Sequence, residues 1–411
     1  MIMKSRRDFL KVMTAGTCGA LAHQILNPGF AAYADPLGAL NNNRVFVLIN
    51  FSGGVSYNIA PPYVGAYRDR NPTISYGASD SLYLNSSQGL HPSLTSLHTV
   101  WGEGKLAVLN MIGAGQNQSR SHDEATKQWH TGRSIVSGVS EGWGARLTSQ
   151  LQSSLGGVSL SGSNDLIRGG TNPPRAVGNL SSLGESPIFW SNNSAEFLKM
   201  TRTNIVQASS HPSNPGFDHA KESLLKFQAS AELLRTYANL SLPVVFPNTG
   251  LGNRLRDAAR LIVAGPTIGL RFIYVGFGGF DTHAGERAAL TSRLNEYNGA
   301  MSAFIQCLKS LNRWNDIVIA GMSEFSRTME NSSQGTDHGA TGPMFVLGGR
   351  VKGGQKTPAP TATDVGNYQY IQNSHGTFAQ VYAEVLSEFM GLNAQSVFNG
   401  DIAASPYFDL I

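Results

Sequence analysis

Arg44-Val45-Phe46-Val47-Leu48-Ile49-Asn50-Phe51-Ser52-Gly53-Gly54 decides the fold. The run is almost continuously apolar and stops on paired glycines. A strand covered by helices on both sides has no polar face, so it reads as a central parallel strand with a functional loop at its carboxyl end. Similar runs recur at 105–112, closed by Gly113 and Gly115, and at 270–275, 317–320 and 344–347. Helical spacing fills the gaps at 94–101, 121–129, 217–239, 288–311 and 377–390, and at 253–263 ahead of Gly265-Pro266. Alternating strands and helices predict an α/β fold with a central, mostly parallel sheet and helices on both faces.

Composition narrows the class. The 411 residues are 41% hydrophobic but only 14% charged, with no Gly-X-Y period or heptad array, which describes a globular chain. Of the net charge of +4, Lys4, Arg6, Arg7 and Lys11 against Asp8 supply most. The remainder is nearly neutral, so no nucleic-acid partner is expected.

Those N-terminal charges belong to Ser5-Arg6-Arg7-Asp8-Phe9-Leu10-Lys11, followed by a moderately apolar stretch and Ala32-Tyr33-Ala34. The pattern is a twin-arginine export signal with a small-x-small cleavage site. Residues 1–34 then address the chain to the twin-arginine translocase, with the periplasm or the extracellular space as destination. The apolar stretch is short and rich in Gly, Thr and Ala, so the mature protein is expected to have no membrane span. Residues 35–411 form one domain, with a Ser/Gly/Asn-rich insertion or cap over about 132–215 and weak strands at 158–160 and 188–190. Beyond the signal only Cys307 remains, with apolar neighbours at helical spacing, which reads as a buried structural thiol.

Four clusters follow strands and carry candidate chemistry. Gly278-Gly279-Phe280-Asp281-Thr282-His283 offers an oxygen and an imidazole nitrogen at i and i+2, a pair suited to zinc or a similar divalent ion. A helix-capping Asp with a surface His explains it as well. In Met322-Ser323-Glu324-Phe325-Ser326-Arg327-Thr328, Glu324 sits where open α/β sheets bind ligands. Arg327 pairs either with it at a helix start or with an anionic substrate. Gly335-Thr336-Asp337-His338-Gly339 reads as a loop in which Asp337 and His338 are a ligand pair or an Asx-turn with an exposed His. In Asn117-Gln118-Ser119-Arg120-Ser121-His122, a hydroxyl at a helix start suits a phosphate or sulfate group. Ser121 with Glu124 also matches a plain capping box. His375, before Gly376, reads as the cap of the closing helix.

These motifs, together with Ser5-Arg6-Arg7 and Gly89-Leu90-His91-Pro92, resemble in order those of the bacterial exported family called domain of unknown function 1501. That family is similar to the alkaline phosphatase and sulfatase superfamily. The resemblance implies an alkaline-phosphatase-like sheet with metal at its carboxyl edge and a hydroxyl nucleophile at a helix start. Carried over by motif, Asp281 and His283 are ligands of one metal site, His338 completes it, Asp337 lies beside it and Glu324 serves a second metal. Two departures reduce that second site. The first-strand loop reads Gly53-Gly54-Val55-Ser56 where the family has an acid at the fourth position, and Phe325 stands where the superfamily has a His.

Two functions follow. The first is an exported hydrolase of phosphate or sulfate esters using a divalent ion, zinc by preference and one ion at the reduced site. Ser121 or Ser119 is the nucleophile, Arg327 assists, and the substrate is a small anionic or glycan-linked ester. The alternative is a non-catalytic exported binding or surface-associated protein on the same fold.

Overall fold

The computed structural model describes residues 43–115, 117–151, 153, 155–178, 180, 218, 221, 233–366, 369–398 and 408–411. The export segment 1–34, the weak strand at 188–190 and most of the helix expected at 217–239 lie outside them.

Strand β1 (Val45–Ser52) is buried along all but its last residue, and its side chains divide by the two-residue period of a strand. Val45, Val47, Ile49 and Phe51 enter one apolar cluster with Leu97, Leu255 and Leu294. Phe46 and Leu48 enter the other with Trp129, Trp143 and Tyr382. The residues meeting them come from helices, numbered here when longer than five residues. On the first face lie α1 (Thr95–Gly102), α4 (Gly250–Ile268) and α5 (Glu286–Ser310); on the second lie α2 (His122–Thr131), α3 (Trp143–Ser149) and α6 (Phe378–Glu384). Helices therefore cover both faces, as the unbroken apolar strand requires.

The remaining strands are β2 (Leu82–Asn85), β3 (Gln88–Leu90), β4 (Leu106–Gly113), β5 (Gly157–Ser159), β6 (Arg175–Ala176), β7 (Phe272–Gly278), β8 (Ile317–Met322), β9 (Arg327–Glu330), β10 (Thr336–His338), β11 (Gly342–Gly348), β12 (Gly354–Gln355) and β13 (Gly376–Thr377). The central sheet runs β12-β4-β11-β8-β1-β7-β5-β6, with β13 also on β4. Only β11 runs against its neighbours β4 and β8; the other pairings of this sheet are parallel. The strands expected at 45–49, 106–112, 272–275 and 317–320 share this one sheet. β2 pairs with β3 and β9 with β10 in separate hairpins.

Several local expectations need correction. The stretch 132–215 is not wholly an insertion, because β5 and β6 extend the central sheet beyond β7. Helix α4 does not stop at Gly265-Pro266; it runs through Pro266 to Ile268 and ends where Gly269 turns left-handed. A proline so near the end forfeits little of the ladder. The closing helix is capped by Thr377, not His375. Thr377 and Gln380 form the capping box, while the His375 amide donates to the Met111 carbonyl. At Ser121 the expected capping box is missing: the Ser121 side chain makes no cap bond, and Glu124 accepts instead from the Ser119 hydroxyl at 3.0 Å. Cys307 is buried as expected, and burial pushes its thiol up to about 11. Among the described residues, no helix is long and apolar enough to cross a membrane.

Candidate metal centre

Three parallel strands, β1, β7 and β8, end side by side and deliver their loops to one place. The β1 loop arrives through Gly53, whose φ of +120° suits glycine. A Cβ there would stand 2.3 Å from the Asp281 amide nitrogen, so the loop after β7 could not pass. The same economy holds at Gly335, where a Cβ would lie 2.2 Å from the His283 carbonyl carbon. Backbones at these crossings touch, and the functional side chains are brought within bonding range.

The segment before α2 is stapled by two amides. Gln128, buried on α2, accepts from the Ser119 amide at 2.9 Å and donates to the carbonyls of Asn117 and Ser134. Gln118 donates to the carbonyls of Ser119 and Glu324. His122, the first residue of α2, is thereby held over the end of β8.

Around Asp281 the groups converge. Its Oδ2 lies 3.4 Å from His122 Nε2 and its Oδ1 lies 3.4 Å from His338 Nε2. One ligating atom from each of His122, Asp281 and His338 falls within 4.8 Å of the others. The opposite nitrogens of the two rings are occupied. His122 Nδ1 is 3.0 Å from Glu324 Oε1, and His338 Nδ1 is 2.9 Å from the Arg120 carbonyl. A carboxylate oxygen and a carbonyl oxygen accept here, so in the neutral ring each Nδ1 carries the proton and each Nε2 keeps its lone pair. Both Nε2 atoms are buried and have no hydrogen-bond partner among the described residues. Two unpartnered imidazole lone pairs beside a carboxylate are the donor set a divalent ion takes, so the residues present fit a metal.

Asp281 and His338 are in the grouping as expected, and the other expected ligands stand beside it. Glu324 is buried and fully engaged, accepting from the Gly53 amide at 2.8 Å and from Ser323 at 3.0 Å as well as facing His122. His283 has a carboxylate at each nitrogen, Asp281 at 2.9 Å from Nε2 and Asp337 at 3.0 Å from Nδ1. Asp337 is exposed and backs His283. The segment 336–338, expected as a loop, is strand β10. Arg327 requires correction. Its side chain is 0% exposed, so it cannot reach a substrate, and it lies in strand β9 rather than at a helix start. It bonds Asp281 at 2.7 Å and the Gly53 carbonyl at 2.9 Å instead of pairing with Glu324. Burial raises the Asp281 carboxyl, but the bond and charge of Arg327, with His283 and His122 adding, outweigh it and hold the group below its ordinary value. Burial pushes His338 down, against its bond to the Arg120 carbonyl.

Ser121 is exposed at the start of α2, and Ser119, partly exposed, uses its hydroxyl on Glu124. Ser56 is buried and caps the amide of Asn58, so the position without an acid has become a structural cap. Phe325 packs on both imidazoles, 4.9 Å from the His122 ring and 4.7 Å from that of His338. The ligand set missed from the sequence is the one containing His122. It stood in plain sight after Ser121, at a helix start beyond a strand end, the placement that drew attention to the serine.

Residues 249–399 match the model of the family described as "Protein of unknown function (DUF1501)". The match bears out the family resemblance over the segment that carries Asp281, His283, Glu324, Arg327, Asp337 and His338. No curated protein matches the chain. Among solved structures it is similar to Ps i-CgsB in complex with k-i-k-neocarrahexaose, at 9% identity and TM-score 0.38, over 86% of this chain and 78% of that one. It is also similar to the PsFucS1 sulfatase from Pseudoalteromonas sp., at 11% identity and TM-score 0.35, over 83% and 70%. A third is the lipoteichoic acid synthase LtaP from Listeria monocytogenes, at 10% identity and TM-score 0.33, over 89% and 78%.

Proposed function

We propose that this chain is an exported hydrolase of phosphate or sulfate esters that depends on a single divalent ion, zinc by preference. The observation that carries the reading is the pair of unpartnered Nε2 atoms of His122 and His338 facing Asp281. These three residues would hold the ion, which when bound supplies Lewis acidity toward an ester oxygen. Glu324 and the Arg120 carbonyl keep the two rings in the tautomer that presents Nε2, and Arg327 keeps Asp281 ionised.

Ser121 is the nucleophile in this reading. Its hydroxyl makes no cap bond, stands next to His122 and is exposed to an incoming ester. The Ser121 oxygen bonds to phosphorus or sulfur as the ester oxygen departs and is protonated by solvent, the serine proton passing to water; a water molecule then cleaves the seryl ester, freeing phosphate or sulfate and returning the hydroxyl. Ser119 would replace it only by giving up its bond to Glu124. With Ser56 capping Asn58 and Phe325 covering both rings, the reading has one ion, not two. Export by the twin-arginine translocase to the periplasm or beyond rests on Ser5-Arg6-Arg7.

Metal content of the purified protein by elemental analysis, beside turnover of phosphate and sulfate esters, tests the proposal. About one divalent ion per chain and turnover abolished by a chelator are expected. A metal-binding chain with no turnover would favour the alternative of a non-catalytic binding protein. A chain that neither binds metal nor turns over an ester would overturn the reading.

A further inference from the structure

Glu286 is a carboxylate with 0% exposure at the first turn of α5, and nothing in the metal grouping accounts for it. A charge that deep is retained only where partners surround it. Its Oε1 accepts from the Asn58 side chain at 3.0 Å, and its Oε2 accepts from the hydroxyls of Thr282, at 3.1 Å, and Thr336. Those partners come from three separate segments. Asn58 follows the β1 loop, Thr282 stands between Asp281 and His283, and Thr336 opens β10 two residues before His338.

The bond through Thr336 has a direction. Arg327 Nε donates to the Thr336 hydroxyl at 3.1 Å, so that oxygen already has a donor and its own proton goes to Glu286. Arg327 Nη1 donates to Asp281 Oδ1 at 2.7 Å. A chain therefore runs from Glu286 through Thr336 and Arg327 to Asp281, with a buried carboxylate at one end and the putting-in-place of the ligand at the other. The guanidinium, permanently charged and fully buried, pairs directly with Asp281 and reaches Glu286 only through the Thr336 hydroxyl. Its orientation is fixed by acceptors on both sides.

We infer that Glu286 is a positioning residue: acting through Thr336 and Arg327, it fixes Asp281 between His122 and His338. The inference rests on the metal-centre reading for the ion alone; the chain of bonds stands without it.

Two substitutions separate positioning from general support. Glu286→Gln keeps the shape but places a donor where Thr336 now donates, and Thr336→Val removes the hydroxyl while keeping the volume. Zinc affinity is read by competition with a chelator. The ring-nitrogen NMR shifts of His122, His283 and His338 are read in metal-free protein. Both variants should weaken zinc binding by about tenfold or more, move the three sets of ring signals, and in combination do no more than either alone. Thr336→Ser, which restores the hydroxyl, should stay near wild type. Zinc affinity within about twofold and unmoved ring signals in Thr336→Val would overturn the inference, whatever the loss of melting temperature, and Thr336→Val serves alone if Glu286→Gln does not fold. If the wild type binds no zinc, the metal reading fails, and the ring signals still decide this one.

Discussion

Glu324 Oε1 sits 3.0 Å from His122 Nδ1, and the far nitrogen of the same ring faces Asp281 Oδ2 at 3.4 Å. A carboxylate behind an imidazole fixes the tautomer and orientation of the ring, so this pair aims the far nitrogen at Asp281. Glu324 acts here at one remove, consistent with its 6% exposure and its bonds to Gly53 and Ser323.

His122→Ala and Asp281→Ala should each abolish bound metal, because each deletes one of three donors. Glu324→Gln should weaken metal binding by about 10–100-fold. Elemental analysis and chelator competition read both effects. Unchanged metal content in His122→Ala would remove this histidine from the centre.

Ser121→Ala should eliminate ester turnover while metal content stays at the wild-type level. Because the hydroxyl makes no cap bond, the stability cost should fall below the ~1 kcal/mol usual for losing a cap. Full turnover in this variant would shift the role to Ser119, tested in the same way.

Arg327→Met should destabilise the fold by about 3 kcal/mol, since it leaves Asp281, Thr336 and the Gly53 carbonyl without their shared donor. Arg327→Lys should recover little, because one ammonium cannot replace a fork bonding in several directions. Urea unfolding of the two variants gives the comparison, and a lysine variant as stable as wild type would contradict it.

Acid should weaken the protein through two buried histidines. Burial pushes His91 and His130 down to about 4, with Arg287 adding at His91 and Asp165 opposing at His130. The unfolded chain, with histidines near 6.5, binds more protons than the folded one between these values. Stability therefore rises with pH across that window and is lost as pH falls through it. The lowered Asp281 acts only below 3.8, outside the window. Urea midpoints from pH 7 to 4 should fall, and less steeply in His91→Asn and His130→Leu. A flat profile in the wild type would contradict neutral burial of both rings.

How much of this was legible in the sequence follows from the range of the interactions. The strands at 45–51 and 270–275 were readable because helices on both faces demand unbroken apolar runs, a constraint met residue by residue. Asp281, His283 and Glu324 were readable because each stands just past such a run, and His338 because it follows Asp337 between the flanking glycines Gly335 and Gly339. Arg327 was misjudged because its burial depends on contacts remote in sequence, with β10 paired to its own strand and the β1 loop at Gly53, which nothing near Ser326 or Thr328 announces. Glu286 was invisible for the same reason: beside Arg287 on a helix it looks like a solvated acid, and only Asn58, Thr282 and Thr336 reveal otherwise. Strand β5 was legible as the weak strand at 158–160, whereas β6, two residues long, is too short to carry a period of its own.

The place of β1 in the sheet has a consequence in time. Phe46 pairs with Phe272 and Val45 with Ile317, so both neighbours of the innermost strand are made long after it. Emerging from the ribosome, β1 has no edge to join until most of the chain exists, and closing loops of that length makes nucleation slow. The apolar run that organises the fold is thus also a segment left uncovered for long, a stretch for chaperones to shield during synthesis. Chains cut short before β8 should collect as aggregates rather than as a smaller folded unit.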